Sequence, residues 1–513
     1  MRRIYPLGML SLLLLLTAAA CHEEVAPSQT GTPAPSPAVS LAPIASASPV
    51  SAIVQDDAPL TARIENRDDG FAVKLEDASF ASVLQTVVSA DRNMPVVHLV
   101  RRLTALDDVR QRYRLDLVAI DPDDRSVRVY PLVDLALADT YAADSLAFIR
   151  GFADPAHLVL TKLRQSADSS ALLSDIALFD IRSGKTETLI EAAVPIATND
   201  FVAVARLSAS RDKLVLNSFT GGKLWIADLQ ARTIRSPERL FRNHWPLANL
   251  YLSPDGERFW YPVMDVGLKL YDTEGRELAT IAADGGLREY PPLKWSPSGN
   301  YALEEYTLTD SGEHVFYGEE GVAFIAAQAM RIYDRDGGVV WRYEQASADE
   351  FFEWSGWLPG SDSGVLRSYG LQQRQDQPPQ RTNVSYRLTD IASGSMTTLA
   401  RASSLEQLDQ PQAFATEEGD ILFVDAANAR IVSLHNTLGS SPYAELLTAP
   451  DDATIVWAVP DWEQQTTSVY RYDRSTRTTT VTKWSPAGNR LQLVDDAYTV
   501  DSELVYHLLH KLP

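Results

Sequence analysis

Clustered aspartates are the residues in this sequence whose type and spacing come closest to a metal site. Asp121, Asp123 and Asp124 fall in one segment, and Asp334 and Asp336 fall in another. Carboxylate oxygens are the ligands that Ca²⁺ prefers, so these five residues are candidate calcium ligands. Neither cluster completes the D-x-[DN]-x-[DN]-G spacing of a calcium loop. The alternative is that the carboxylates accept backbone hydrogen bonds in solvated turns, in which case the chain needs no cofactor and has no metal site.

Two neighbouring tryptophans, Trp354 and Trp357, are candidate binding residues in the segment FFEWSGWLPG. Aromatic side chains at the mouth of a channel can hold a ligand against their ring faces. The alternative is that they pack between structural units. The eight histidines are scattered, and none stands at a spacing from carboxylates that indicates a zinc site.

The only cysteine of the 513 residues, Cys21, follows a leader with the layout of a secretory signal peptide. Arg2 and Arg3 precede the apolar residues 7–16 and three alanines. The apolar run has about half of the ~20 residues that a membrane-spanning helix needs. Residues 1–20 are therefore predicted to be a signal peptide. If an ordinary signal-peptide cleavage occurs nearby, Cys21 keeps a free thiol.

Small residues directly before Cys21 resemble the lipobox of bacterial lipoproteins. The resemblance implies that Cys21 carries a diacylglycerol and anchors the chain to a bacterial membrane, on the extracellular face or in the periplasm. An acylated Cys21 leaves no thiol for a disulfide, a nucleophile or a metal site. Residues 21–59, rich in proline, serine and alanine, are predicted to be a disordered tether. The net charge of −22 would repel nucleic acid and anionic headgroups.

Residues 60–112 are predicted to be a small α or α/β segment. The segment SFASVLQTVVSA has apolar residues at the three-to-four spacing of an amphipathic helix. The residues that follow it, up to about position 113, could form a second helix. The segment 60–112 either packs against the rest of the chain or docks a partner.

Residues 113–513 contain repeats. Ser-Pro-x-Gly stands between two strand patterns at 253–256, 296–299 and 485–488, where proline and glycine favour a tight reversal. A strand, an aspartate turn and another strand recur at six positions, with the turn aspartates Asp180, Asp228, Asp272, Asp334, Asp390 and Asp473. The long gap before the last one predicts a degenerate unit at 417–438. The count favours eight units over seven, closed by pairing C-terminal strands with residues 115–133.

Ser-Pro-Asp-Gly hairpins followed by a strand that ends in Tyr-Asp resemble the repeats of TolB-type, WD40-like β-propellers, with Ser253 to Gly256 as the fullest match. The resemblance implies an all-β propeller of seven or eight four-stranded blades around a channel. Such propellers are mostly binding scaffolds, although the fold alone does not define a function. The expected role is a lipid-anchored scaffold of the cell envelope that binds an envelope protein, a peptide or a glycan.

An enzyme that uses the channel, either a hydrolase or a sulfotransferase-like protein, is the alternative. The segment PGSDSG has the glycines of the Gly-x-Ser-x-Gly elbow, but Asp362 occupies the nucleophile position. No α/β pattern follows it. The segment YDRDGGVVWRYE is similar to blade turns of arylsulfotransferases and quinoprotein dehydrogenases, yet the same residues suit an ordinary hairpin that precedes a buried tryptophan.

Overall fold

The computed structural model describes residues 59–508, except 77–80, 90, 92, 108–109, 138–148, 166–171, 197–201, 209, 219–223, 237–250, 264–266, 283–292, 307–314, 318–322, 326–328, 345–349, 375–376, 417–418, 436–443, 448–452, 462, 485–490, 495–497 and 502. The predicted signal peptide, Cys21 and nearly all of the predicted tether therefore lie outside the described residues. Within the part described, no helix is long and apolar enough to cross a membrane.

The described strands are β1 Thr61–Arg67, β2 Gly70–Glu76, β3 Ala81–Val87, β4 Val96–Ala105, β5 Gln111–Asp121, β6 Ser126–Leu137, β7 Ile149–Asp154, β8 His157–Gln165, β9 Leu172–Asp180, β10 Thr186–Ile196, β11 Val202–Leu207, β12 Lys213–Ser218, β13 Leu224–Asp228, β14 Thr233–Arg235, β15 Tyr251–Leu252, β16 Arg258–Val263, β17 Gly267–Asp272, β18 Glu277–Ala282, β19 Leu293–Trp295 and β20 Tyr301–Tyr306. They continue with β21 Val315–Tyr317, β22 Ala323–Ile325, β23 Ala329–Asp334, β24 Val339–Glu344, β25 Phe351–Trp357, β26 Ser363–Arg374, β27 Gln377–Asp390, β28 Ser395–Thr398, β29 Ala400–Arg401, β30 Gln412–Ala415, β31 Ile421–Asp425, β32 Arg430–Ser433, β33 Glu445–Leu446, β34 Thr454–Asp461, β35 Thr466–Asp473, β36 Thr478–Trp484, β37 Gln492–Leu493, β38 Tyr498–Val500 and β39 Val505–Leu508. One turn of 3-10 helix spans Leu405–Gln407.

These strands form a β-propeller in which nine sheets of the described residues are the blades. Blades 1 to 4 are β3 to β6, β7 to β10, β11 to β14 and β15 to β18. Blade 5 is β19, β20, β23 and β24, blade 6 is β25 to β28, blade 7 is β29 to β32, blade 8 is β33 to β36, and blade 9 is β37 to β39 with β2 and β1. Strands β21 and β22 form a separate hairpin. One edge strand of each blade is the inner strand, and neighbouring inner strands contact one another, for example β3 with β7 and β30 with β33.

Blade 9 closes the ring by joining the two ends of the described chain. Strand β2 pairs with β39 in antiparallel register, with Gly70 opposite His507 and Ala72 opposite Val505. Closure by strands from both ends is thus confirmed, but residues 115–133 are the wrong partner. They lie in β5 and β6, which pair with β3 and β4 in blade 1. The propeller has nine blades instead of seven or eight because residues 61–105 supply four strands.

The prediction of helices in residues 60–112 is wrong, because β1 to β4 occupy most of this segment. Strand β3 has a bulge between Val83 and Gln85, which shifts its register against β4. The bulge breaks the two-residue alternation and leaves a spacing that imitates a helix. Strand β4 is buried on both faces over its first five residues. A strand covered on both sides reads as a continuous apolar run, which periodicity cannot separate from a helix.

Two of the Ser-Pro-x-Gly units, at 253–256 and 296–299, form the turn between the first and second strands of blades 4 and 5, here called the inner turn. The third, at 485–488, lies outside the described residues. In blade 4 the Arg258 N–H donates to Ser253 Oγ at 3.0 Å, and the Gly256 N–H donates to the Ser253 carbonyl at 2.9 Å. Gly256 has φ +70°, and a Cβ there would lie 2.4 Å from Cβ of Ser208 in blade 3. Glycine is required at this position both by the backbone conformation and by the neighbouring blade.

The six predicted turn aspartates all lie between the third and fourth strands of blades, in the outer turn. Each one accepts a hydrogen bond from a backbone N–H two to four residues further along the chain. Hydrogen bonds from the side chain of Ser475 and from nearby backbone N–H groups lower the pKa of Asp473 to about 2. These aspartates therefore stabilise the turns as carboxylates.

Blade 7, which corresponds to the predicted degenerate unit, runs in the opposite direction to its neighbours. Its inner strand β30 begins where β25 ends, because Gln412 Nε2 donates to the Pro359 carbonyl at 3.2 Å. In blades 1 and 2, by contrast, the inner strands end together, where Ser89 Oγ donates to the Pro155 carbonyl at 3.0 Å. Consistent with the reversal, β29 pairs with β32 in parallel. The chain reaches β30 from the outer edge of the blade, through the 3-10 turn.

Candidate functional site

The inner strands of blades 8, 9 and 1 enclose a cavity of about 590 Å³, here called the channel cavity. Its described lining consists of Val83, Leu84, Gln85, Thr86, Glu445, Leu446, Leu447, Leu491, Gln492, Leu493, Val500 and Asp501. Five of these twelve residues are leucines. Among its described residues the lining has two carboxylates and neither lysine nor arginine. A mainly apolar wall with a few polar groups is the usual composition of a ligand pocket.

The short strand β3 positions Gln85 and Thr86 on the cavity wall. Gln85 bonds with both backbone groups of Ile149, donating to its carbonyl at 2.8 Å and accepting from its N–H at 3.1 Å. The Gln85 side chain thereby takes the place of backbone hydrogen bonds between two strands and joins blade 1 to blade 2. It is held in one orientation, which gives the cavity a rigid edge.

Behind Thr86 lies a hydrogen-bonded chain that crosses from blade 1 to blade 9. Thr86 Oγ1 lies 2.8 Å from His98 Nδ1, and His98 Nε2 lies 2.8 Å from the hydroxyl of Tyr506. His98 is fully buried, and burial lowers its pKa to about 3. The imidazole is therefore neutral at physiological pH, with one nitrogen donating and the other accepting.

Asp501 lies at the other side of the cavity and is also held by a histidine. His507 Nε2 is 3.1 Å from its Oδ2, and the backbone N–H groups of Glu503 and Val505 donate to its Oδ1. Burial alone would raise the pKa of Asp501, but these hydrogen bonds outweigh burial and lower it. The cavity wall therefore carries a carboxylate of fixed orientation.

A second cavity, of about 740 Å³, lies between blades 7 and 8 and is here called the blade 7/8 cleft. Its described lining is Asp409, Gln410, Pro411, Gln412, Asp425, Ala426, Ala427, Ala453, Arg474, Ser475 and Arg477. Blade 8 contributes both arginines from its outer turn, and blade 7 contributes both aspartates. The cleft contains charges of both signs, whereas the described charges of the channel cavity are carboxylates only.

Blades 5 and 6 contain a network of largely buried charged side chains that sequence reasoning missed. Lys294 pairs with Glu305 at 3.2 Å, and Glu305 accepts the Trp354 N–H across the blade boundary. Burial raises the pKa of Glu305, against the opposing effect of Lys294. Arg367 and Arg381 share Glu353 within blade 6. The hydrogen bond from the Trp354 N–H to Glu305 joins the two blades, and no spacing in the sequence indicates these contacts.

The predicted binding residues Trp354 and Trp357 lie on β25, at the boundary between blades 5 and 6. Their rings form an edge-to-face pair with centroids 4.8 Å apart. Trp354 is 1 % exposed and packs with Leu303, Met330 and Leu366. Trp357 Nε1 donates to the Lys294 carbonyl at 3.4 Å. The environment of Trp354 is that of a side chain packed between blades, the alternative raised for it from the sequence.

The predicted calcium ligands lie on outer turns of blades 1 and 5. Asp121 Oδ1 accepts the N–H groups of Asp123 and Asp124, and Asp124 Oδ1 accepts that of Ser126. In blade 5, Asp334 Oδ1 accepts from Asp336 and Gly338, and Asp336 pairs with Arg258 of blade 4 at 2.6 Å. Across the residues that the structure describes, no three acidic, histidine or cysteine side chains converge as a metal site would require.

No family model and no curated protein sequence matches the chain. Solved structures are similar to it at low identity. Sqt1 from Chaetomium thermophilum is 12 % identical with a TM-score of 0.38, covering 83 % of this chain and 95 % of that one. Hydrazine synthase from Kuenenia stuttgartiensis is 11 % identical with a TM-score of 0.32, covering 69 % and 93 %. The Cps50 (Swd1) β-propeller domain from Myceliophteria thermophila is 10 % identical with a TM-score of 0.30, covering 66 % and 92 %.

Proposed function

We propose that the chain is a lipid-anchored, extracytoplasmic binding scaffold of the cell envelope, and that the channel cavity is its ligand site. The observation that carries the proposal is the leucine-rich lining between three inner strands, with Glu445 and Asp501 as its charges. Apolar side chains of a ligand would gain from burial against the leucines. A lysine or arginine beside them would be attracted by the two carboxylates.

Among the expected ligands, a peptide segment of an envelope protein suits this lining better than a glycan. Sugars are usually held by exposed aromatic faces, and the described lining has none. The cavity can take a short segment with alternating apolar and basic side chains. Gln492 on the wall offers an amide that can donate to and accept from a peptide backbone.

Replacing Leu446 by aspartate is expected to weaken binding of the peptide Ac-GLKLG-NH2 to the full chain at least tenfold, because the new carboxylate is costly to desolvate against the leucine wall. Isothermal titration calorimetry on detergent-solubilised protein measures the effect. Leu278, which is 38 % exposed on β18 of blade 4, supplies the control variant Leu278→Asp. The peptide Ac-GLELG-NH2 should bind more weakly than the lysine peptide.

Equal affinities for the Leu446→Asp and Leu278→Asp proteins, or for the two peptides, would contradict the assignment of the cavity. Circular dichroism shows whether Leu446→Asp still folds. If it does not, Gln492→Lys decides, because a cation on the wall should repel the lysine peptide while leaving the leucines in place.

The anchor makes a separate prediction. Cys21→Ser removes the thiol that would receive the lipid, so the protein should move from the membrane fraction into the soluble fraction of the bacterial host that expresses it. Fractionation followed by immunoblotting measures the shift, and Ser28→Ala in the predicted tether is the control. Retention of the Cys21→Ser protein in the membrane fraction would refute anchoring through this residue.

An enzyme using the channel is the second candidate, and the contact between Thr86 and His98 favours it. A hydroxyl beside a neutral imidazole has the geometry of a nucleophile and its general base. Burial, which lowers the pKa of His98 to about 3, makes this imidazole a weak base. On this hypothesis Thr86→Val abolishes turnover of an ester, phosphodiester, sulfate ester or glycoside substrate. On the scaffold hypothesis Thr86→Val retains affinity for the lysine peptide, and no such turnover is found.

A further inference from the structure

Neighbouring inner turns pack directly against each other along one face of the propeller from blade 3 to blade 6. Ser210 of blade 3 donates to the Asp255 carbonyl of blade 4 at 3.2 Å. A Cβ on Gly299 of blade 5 would lie 3.3 Å from Pro254 of blade 4. Asn300 of blade 5 donates to Asp362 of blade 6 at 3.2 Å. Each boundary on this face is therefore filled by the turn of the adjacent blade.

Blade 7 does not continue this row, because it is inverted. At this face blade 7 has the residues that lead into β30 and the turn that follows Asp425. These residues lie beside Ala453 and the outer turn of blade 8. The blade 7/8 cleft is located at this boundary. The cleft therefore lies between a reversed blade and a regular one, and not between two blades of the same direction.

The aspartates of the cleft have most of their hydrogen-bonding capacity occupied. Asp425 is 1 % exposed and accepts from the N–H of Asp409 and from both the N–H and Nδ2 of Asn428. Asp409 accepts from Asn428 Nδ2 at 2.9 Å and from Arg477 Nη1 at 2.7 Å. These contacts fix the blade 7 wall and leave little acceptor capacity for a basic ligand.

Arg477, in contrast, retains donors. A guanidinium has five N–H groups, and the ion pair with Asp409 engages one nitrogen. Its side chain is 51 % exposed. Ala426, Ala427 and Ala453 in the lining are small enough for a ligand backbone to approach closely. The remaining N–H donors of Arg477 can bind a carboxylate, and the alanines beside them leave room for the extended peptide that carries it.

We propose that the blade 7/8 cleft binds an acidic peptide segment of a partner protein, with a carboxylate of the segment paired to Arg477. The site differs from the channel cavity in position and in charge preference. The net charge of −22 does not prevent this binding, because at physiological salt the charges of distant blades are screened beyond about 8 Å. A propeller with both sites would recognise a basic apolar segment and an acidic segment independently.

The test measures binding of fluorescein-labelled GADGEAG to the full-chain protein by fluorescence anisotropy. The acidic peptide should bind about tenfold more tightly than GANGQAG, and Arg477→Gln should remove most of that difference, since it deletes a charge-assisted hydrogen bond. Arg232→Gln is a matched control. Arg232 also ends an outer turn, has φ 55° like Arg477, and pairs with Glu187 in an ion pair.

Equal affinity for the two peptides, or equal loss in the Arg477→Gln and Arg232→Gln proteins, would overturn the proposal. If Arg477→Gln does not fold, Asp409→Asn decides, because it releases Arg477 from its ion pair and should tighten binding of the acidic peptide several-fold. Leu446→Asp should leave binding of the acidic peptide unchanged. A failure of the channel cavity as a ligand site is therefore distinguishable from a failure of the cleft.

Discussion

Replacement of Tyr506 by alanine is expected to destabilise the propeller by about 3–5 kcal/mol, the usual cost of truncating a buried aromatic side chain. Tyr506 is fully buried and stacks on Phe71 with ring centroids 4.5 Å apart. Phe71 comes from β2 and Tyr506 from β39, so this contact is part of the pairing that closes the ring. The midpoint of urea unfolding, followed by tryptophan fluorescence, measures the loss.

Two controls separate ring closure from ordinary packing. Tyr506→Phe keeps the stack and removes only the hydroxyl next to His98, so it should cost about 1 kcal/mol. Tyr271→Ala removes an aromatic side chain that stacks on Phe259 within blade 4, with centroids 5.5 Å apart. Only Tyr506→Ala should accelerate hydrogen exchange in β1 and β2. If Tyr271→Ala accelerates exchange there equally, blade 9 is not the closing element.

Lowering the pH from 7.5 to 5.0 is expected to remove about 2 kcal/mol of stability through His98 alone. Burial lowers the folded-state pKa of His98 to about 3, from 6.5. The unfolded chain therefore binds a proton as the pH falls through 6.5, whereas the folded protein does not until the pH approaches 3. Stability contributed by the neutral imidazole is present above pH 6.5 and is lost progressively below it.

The variant His98→Gln removes this titration and keeps a side chain that can bond with Thr86 or Tyr506. The free energy of unfolding of the wild-type protein, obtained from urea titrations, should fall between pH 7.5 and 5.0, and that of the variant should fall by about 2 kcal/mol less. The pKa values of Asp473 and Asp501 are lowered, so these carboxylates release their stabilisation only at lower pH, outside this range. An identical pH dependence of the two proteins would show that His98 is protonated in the folded state.

The blade pattern was predictable because its signals are local. Ser253 and Gly256 belong to one turn, and each turn aspartate accepts from a backbone N–H only a few residues away. The ninth blade was not predictable in the same way. Strands β1 and β2 have no Ser-Pro-x-Gly unit between them, and the bulge in β3 together with the two-sided burial of β4 imitates helical spacing.

The channel cavity could not be located from the sequence, because its walls come from distant segments. His98 and Tyr506, which bond directly, are 408 residues apart. Strands β33 and β37 have two residues each, too few to show periodicity. The inversion of blade 7 also cannot be read from the sequence, because apolar and polar residues alternate along a strand in the same way whichever direction the strand runs. The sequence did indicate a degenerate unit at that place.

The central claim is that a ligand occupies the channel cavity, and thiol protection tests it most directly. In the Cys21→Ser background, Gln492→Cys places the only thiol on the cavity wall, and Val481→Cys places it on the outermost strand of blade 8, where Val481 is 49 % exposed. Saturating Ac-GLKLG-NH2 should slow alkylation of the thiol at position 492 at least tenfold and leave that at position 481 unchanged. Equal alkylation rates at position 492 with and without the peptide would contradict the account.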